Sequence, residues 1–108
     1  MKYGENMERY AWHARVKEGF IEEYKKRHDD IWPEMISVLK EAGISNYSIY
    51  LCGHDLFGYY ECEKGAAYAQ EYQNKSDVVS KWNVYMNDIL IWDDGEVQGS
   101  LEEVFRFD

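Results

Sequence analysis

The sequence has few residues that cross-link or break a chain, with one proline (Pro33) and two cysteines (Cys52 and Cys62) among 108 residues. Two cysteines are too few for a disulfide framework, and their spacing does not match a metal-binding motif. No segment approaches the roughly 20 apolar residues of a membrane span. The N-terminus also has no apolar run typical of a signal peptide. We therefore expect a cytoplasmic protein with free thiols, no bound metal and no membrane partner.

Basic residues are also scarce, because 12 Lys and Arg stand against 21 Asp and Glu and leave a net charge of −9. Nucleic-acid binding depends on clustered Lys and Arg, which displace counterions from the phosphate backbone. A polybasic membrane-surface role needs the same clusters. The charge balance therefore argues against both nucleic acids and anionic membranes as partners.

Aromatic residues are abundant by contrast, with 10 Tyr, 4 Trp and 4 Phe. Tyr and Trp pack like hydrophobic residues but keep a polar group that can form a hydrogen bond. The hydrophobic content of 45% argues against disorder. A chain of this length fits one domain. We expect residues 1–6 to be a flexible leader and residues 7–108 to form that single domain.

The period of the hydrophobic pattern changes along the chain and predicts an α+β domain. Alternating apolar residues indicate strands, whereas apolar residues three and four apart indicate helices. Pro33 interrupts the first helical stretch, and Gly43 suits its C-terminal end. The predicted elements are a strand at 7–16, a helix broken at 29–33 and resumed to 42, strands at 44–51 and 56–62, helices at 65–73 and from 77 onward, an acidic loop at 92–99 and a strand at 100–107. This βαββαβ order is that of a ferredoxin-like domain.

The two middle strands are apolar on both faces, which predicts that both faces of the sheet are covered. We expect Tyr47, Ile49 and Leu51 to lie on one face, and Ile44 and Tyr50 on the other. Helices cover one side of such a sheet, and a domain of this length has no further element for the other. The pattern therefore predicts a homodimer in which two sheets pack face to face.

His28 is the main candidate for chemistry among the three histidines. It lies four residues after Tyr24, on the helix stripe that faces the sheet, just before the helix break. A histidine in that position can be a general acid or base, or a satisfied core residue, and the spacing supports both equally. His54 falls in a hairpin turn and His13 on the more polar face of the first strand, where we expect structural roles.

The segment from Tyr24 to Glu34, YKKRHDDIWPE, resembles the signature of the L-rhamnose mutarotases. Three later segments are similar to the same family: GISNYSIYL at 43–51, WNVYM at 82–86 and LEEVF at 101–105. The resemblance covers nearly the whole chain from about residue 7. It implies a dimeric ferredoxin-like α/β barrel that interconverts the α and β anomers of L-rhamnose, a reaction that needs no cofactor.

The resemblance also implies roles for individual residues. His28 matches the family's proton donor, and Tyr24, Tyr47 and Trp82 match its sugar contacts. Asn83 stands where some members have a second tryptophan, so a hydrogen bond is expected there, and a related 6-deoxy sugar can replace L-rhamnose as substrate. The general base stays open among a tyrosine hydroxyl, a nearby carboxylate and a chain of water molecules.

Two other functions fit the same fold. In a haem-degrading oxygenase, a pocket histidine would bind the iron and a tryptophan would distort the porphyrin. A non-catalytic binding module would sense a sugar or a stress metabolite. The string from Tyr24 to Glu34 weighs against both, because a catalytic site for mutarotation needs that histidine beside that tyrosine.

Overall fold

The computed structural model describes residues 7–91 and 98–107. Four antiparallel strands form one sheet in the order β2-β3-β1-β4. The elements are β1 (Glu8–Arg15), α1 (Ile21–Asp29), α2 (Pro33–Glu41), β2 (Ile44–Cys52), β3 (Asp55–Cys62), α3 (Ala66–Asn74), α4 (Asp77–Met86), a 3-10 helix (Asn87–Ile89) and β4 (Gln98–Ser100). The predicted leader at 1–6 and residues 92–97 of the predicted acidic loop lie outside the described residues. The observed order confirms the predicted α+β, ferredoxin-like fold.

The break between the first two helices lies where the sequence predicts it. Trp32 adopts an extended backbone, with φ −62° and ψ 136°, and Pro33 is the first residue of α2. Proline suits this position because the first helical N–H has no partner within the helix. The break ends α1 one residue after His28, so the histidine occupies the last turn of its helix.

One face of the sheet packs against the helices and forms the core. Trp12 and Ala14 of β1 share this face with Leu56 and Tyr60 of β3. The helices contribute the remaining core residues, which include Tyr24, Met35, Val38, Ala69, Val79 and Trp82. Four aromatic residues, Trp12, Tyr24, Tyr60 and Trp82, are therefore buried between the sheet and the helices.

A β-bulge in β2 corrects the predicted faces of that strand. Ser45 pairs with Glu61 and Ser48 pairs with Tyr59, so Asn46 and Tyr47 together oppose a single residue of β3. The extra residue shifts the alternation, and Ile44 lies on the helix face with Ile49 rather than opposite to it. A strict period of two, on which the prediction rested, cannot locate an inserted residue.

The other face of the sheet, here called the open face, has no helix on it within the described chain. It carries Ala11 and His13 of β1, Phe57 and Tyr59 of β3, and Tyr50 of β2. Tyr50 is 65% exposed. A surface with this many aromatic side chains is typical of a binding interface.

The predicted last strand at 100–107 is wrong for most of its length. β4 ends at Ser100, and the Leu101 N–H donates one further hydrogen bond to the Ala11 carbonyl at 2.8 Å. Residues 101–107 have no regular secondary structure, and Phe105 is 81% exposed. The alternation of apolar residues in this tail was genuine, but a strand forms only where its apolar face packs on another surface.

The sequence also predicts free thiols and no membrane span. Cys52 and Cys62 lie at opposite ends of the β2–β3 hairpin, paired with Asp55 and Ile44 respectively. Within the described chain, no helix is long and apolar enough to cross a membrane.

Candidate active site

A cavity of about 1030 Å³ lies between the sheet and the helices. All five of the predicted site residues line it: Tyr24, His28, Tyr47, Trp82 and Asn83. They come from α1, β2 and α4, which are distant in sequence and meet only through the fold. The structure therefore brings the predicted site together in one place.

His28 is held in one orientation by the turn of helix before it. Its Nδ1 lies 3.1 Å from the Tyr24 carbonyl oxygen. A carbonyl oxygen only accepts hydrogen bonds, so Nδ1 carries a hydrogen and Nε2 is the nitrogen left for a ligand. The imidazole also packs on the Tyr24 ring at 4.3 Å between centroids and meets the edge of Trp82 at 5.5 Å.

Burial lowers the pKa of His28 below its usual value of 6.5, although the Tyr24 carbonyl and Asp29 oppose that shift. Desolvation penalises the charged imidazolium because the cavity gives it little contact with water. When charged, the ring is therefore a stronger acid than histidine in water, and it gives up a proton more readily.

Arg27 fixes α1 to the end of α4, next to His28. Its Nε donates to Glu23 at 2.8 Å, and its Nη1 donates to Asp88 at 2.9 Å and to the Tyr85 carbonyl at 2.7 Å. The guanidinium also lies over the Tyr85 ring at 4.4 Å. These contacts connect the helix that carries His28 to the helix that carries Trp82.

Tyr47 reaches the cavity from the bulge in β2. Asn46 precedes it in the left-handed region, with φ 50°, a conformation that asparagine tolerates better than most residues. The Trp12 Nε1–H donates to the Tyr47 hydroxyl oxygen at 3.0 Å. Burial raises the pKa of Tyr47 to about 12, so its hydroxyl keeps its proton at neutral pH.

The polar residues of the cavity that the sequence analysis did not identify include Tyr60, Gln70 and Gln73. The Gln70 amide donates to the Tyr60 hydroxyl, and the Gln73 amide approaches the same oxygen at 3.5 Å. Both glutamines lie on α3, beside the fully buried Ala69. The sequence holds no signal for them, because glutamines three residues apart are typical of the solvent-exposed face of a helix.

The aromatic side of the cavity is built from stacked and edge-on rings. Trp82 meets Trp32 edge-on at 5.1 Å and Tyr85 at 5.7 Å. Asn83 follows Trp82 on α4, lines the cavity and is exposed. Aromatic faces bind the apolar C–H surface of a sugar, and the amide and hydroxyl groups suit its hydroxyls.

The described part of the chain offers little for a metal ion. It contains no group of three or more His, Cys, Asp or Glu side chains that could hold one. Asp29 is the only carboxylate among the described residues that line the cavity. His13 lies on the open face, with its Nε2 2.8 Å from Asp55, and His54 is exposed in the hairpin turn. Neither histidine lines the cavity.

The sequence matches the L-rhamnose mutarotase family over residues 9–107. An L-rhamnose mutarotase of Sinorhizobium fredii is 44% identical over 91 residues, which cover 78% of this chain and 81% of the relative. One of Flavobacterium johnsoniae is 40% identical over 108 residues and covers 96% of this chain and 99% of the relative.

The solved structures that match include one from this family. A crystal structure of an L-rhamnose mutarotase from Formosa agariphila has a TM-score of 0.78 and 33% identity, covering 94% of this chain and 99% of that one. A putative antibiotic biosynthesis monooxygenase from Nitrosomonas europaea has a TM-score of 0.63 at 14% identity, covering 94% and 91%. That second likeness concerns the fold alone, so it does not favour oxygenase chemistry.

Proposed function

The chain belongs to the L-rhamnose mutarotase family, whose members are isomerases that act on sugar anomers, and we infer that the cavity around His28 is its active site. One observation carries this inference. His28 Nδ1 is held by the Tyr24 carbonyl, so Nε2 is directed away from the helix backbone and is free to exchange a proton with a ligand. We propose L-rhamnose or a related 6-deoxy sugar as that ligand.

Mutarotation proceeds by opening and reclosing the sugar ring. The ring oxygen gains a proton, the bond between it and the anomeric carbon breaks, and the anomeric hydroxyl loses its proton to give an aldehyde. After rotation about the adjacent carbon–carbon bond, the reverse steps close the ring on the other face. The reaction is redox-neutral and consumes no proton overall. A positioned acid or base typically contributes about 10²–10⁴-fold to such a step.

We assign the proton transfer to His28. In its charged form, Nδ1–H is bonded to the Tyr24 carbonyl, and Nε2–H donates to the ring oxygen. In reclosure the same nitrogen takes the proton back. The group that removes the proton from the anomeric hydroxyl can be a tyrosine hydroxyl, Asp29 or water.

The other cavity residues are assigned to binding. The hydroxyls of Tyr24 and Tyr47 hold sugar hydroxyls, and the Trp82 ring packs against the apolar face of the sugar. The Asn83 amide adds a hydrogen bond at the rim of the cavity. This assignment is supported by the cavity lining, which all four residues share with His28, and by the contacts of the Tyr24 and Trp82 rings with the imidazole.

We further propose that the protein is a cytoplasmic homodimer in which two open faces pack together. The open face has Phe57, Tyr59 and Tyr50 at its surface, and Leu101 continues it beyond β4. Burial of apolar surface stabilises an interface by about 25 cal/mol per Å² before the cost of association is counted. The tail at 101–107 also exposes apolar side chains, among them Val104, Phe105 and Phe107.

The proposed function is tested by saturation-transfer NMR of anomer exchange on L-rhamnose, L-fucose and L-lyxose. The parent protein should accelerate exchange of L-rhamnose most strongly. His28→Ala should lower kcat/KM by about 10²–10⁴-fold, the usual contribution of one general acid. A folded His28→Ala variant with the exchange rate of the parent would contradict the assignment. Sugar binding with no acceleration by the parent would instead indicate a non-catalytic binding module.

A further inference from the structure

We propose that Trp12 is a positioning residue that turns the Tyr47 hydroxyl into a dedicated hydrogen-bond donor to the sugar, and that Gly58 makes this possible. The proposal rests on the proposed function and goes beyond it. It assigns a role to two residues outside the predicted site, and it assigns a direction to one hydrogen bond between protein and substrate.

The first observation is the bond between the two side chains. An indole N–H only donates, so the Tyr47 oxygen must be the acceptor in the 3.0 Å contact with Trp12 Nε1. The phenolic hydrogen must then point elsewhere. Tyr47 lines the cavity, so a sugar oxygen bound there can accept this hydrogen.

The second observation explains why the indole can lie there. Trp12 on β1 pairs directly with Gly58 on β3, and both residues face the helices. A Cβ atom on residue 58 would lie 2.0 Å from Trp12 Cε2 and 2.2 Å from Trp12 Nε1. Any side chain at position 58 would therefore displace the atom that donates to Tyr47. The indole is also only 3% exposed, so it has little room to move.

The protonation state of Tyr47 agrees with a donor role. Burial raises its pKa to about 12, and the Trp12 bond lowers it only in part. Tyr47 is therefore neutral across the physiological range and always has a hydrogen to donate. Without Trp12, the hydroxyl could also accept from the sugar, and its orientation would no longer be fixed.

A double-mutant cycle separates a positioning role from simple packing. Trp12→Phe removes the N–H and keeps an aromatic ring, and Tyr47→Phe removes the hydroxyl. We expect each single change to lower kcat/KM for L-rhamnose about tenfold, the worth of one hydrogen bond, mainly through a higher KM. The double variant should be no worse than Tyr47→Phe alone, because Trp12 acts through that hydroxyl. Losses that multiply in the double variant would overturn the proposal.

Glycine substitutions give a matched test on the same sheet. Gly58→Ala should reproduce the loss of kcat/KM seen for Trp12→Phe. Gly99→Ala, on β4, is the control because a Cβ there meets no atom within 4 Å. Normal activity of folded Gly58→Ala would contradict the requirement for close approach of the indole.

A spectroscopic readout tests the Trp12–Tyr47 bond without any activity. Trp12→Phe identifies the Trp12 indole N–H signal in a ¹H–¹⁵N spectrum. Tyr47→Phe should move that signal upfield in the absence of sugar, and an unchanged signal would refute the bond. Failure of the parent to accelerate anomer exchange would refute the proposed function, whereas multiplied losses in an active protein would refute only the role of Trp12.

Discussion

At the scale of single residues, hydrogen bonds within the protein orient the polar groups of the site. The Tyr24 carbonyl oxygen accepts a hydrogen bond from His28 Nδ1. The Trp12 indole N–H donates one to the Tyr47 hydroxyl oxygen. Each anchor occupies one polar position of the side chain and orients the other. Such preorganisation lowers the entropy lost when a substrate binds.

The lowered pKa of His28 gives a prediction for the pH dependence of exchange. The charged form donates the proton, and burial lowers the pKa below 6.5, so the charged fraction grows only as the pH falls below that value. We expect kcat/KM to rise as the pH falls from 8 and to level off below the lowered pKa. His28→Ala, measured at each pH, gives the background. A rate that falls in acid would show that the neutral ring acts instead, as a base.

The lowered pKa of His28 also makes the free energy of unfolding depend on pH. The unfolded chain takes up a proton on His28 near pH 6.5, whereas the folded chain does so only at lower pH. The unfolded state therefore binds more protons between the two values, and stability falls as the pH drops through 6.5. The pH profile of activity should therefore be measured only at pH values at which circular dichroism shows a folded protein.

At the scale of elements, the bulge in β2 decides where Tyr47 points. Asn46 takes up the extra residue with φ 50° and donates from its side chain to Glu61 at 2.8 Å. A β-branched residue in this conformation is strained, because its side chain crowds the following carbonyl.

Two substitutions at position 46 isolate that backbone effect. Asn46→Gly and Asn46→Val both lose the bond to Glu61, but only valine resists the left-handed conformation. We expect Asn46→Val to be less stable than Asn46→Gly by about 1–2 kcal/mol, measured by urea unfolding. It should also lose exchange activity as Tyr47 leaves the cavity. Equal stability of the two variants would contradict the requirement for a left-handed backbone at residue 46.

At the scale of the whole molecule, the sheet with one helix-covered face and one open face predicts self-association. We expect the parent to sediment as a dimer. Phe57→Glu should sediment as a monomer, because it places an unpaired carboxylate among the aromatic side chains of the proposed interface in an already acidic chain.

A matched control for this change is Tyr68→Glu on α3. Tyr68 is 41% exposed and Phe57 is 38% exposed, so the two substitutions add a charge at similar accessibility. Tyr68 lies on the helical side of the sheet, and its variant should stay dimeric. A monomeric parent, or a dimeric Phe57→Glu variant, would contradict the sheet-to-sheet arrangement.

The sequence determined what depends on local periodicity and spacing. The i, i+4 spacing placed Tyr24 and His28 on one helix face, Pro33 fixed the break after them, and alternation located three of the four strands. These features rest on repeats of 3.6 and 2 residues, which a sequence displays directly.

Contacts between elements that are distant along the chain follow only from the folded structure. It placed Ile44 on the face of Ile49, joined Trp12 to Tyr47 across 35 positions of sequence, and brought Gln70 to the hydroxyl of Tyr60. It also left the tail at 101–107 exposed, although its alternation predicted a strand. The physical reason is common to these cases. A bulge, a cross-strand hydrogen bond and a packed strand face are each stabilised by a partner that is remote along the chain.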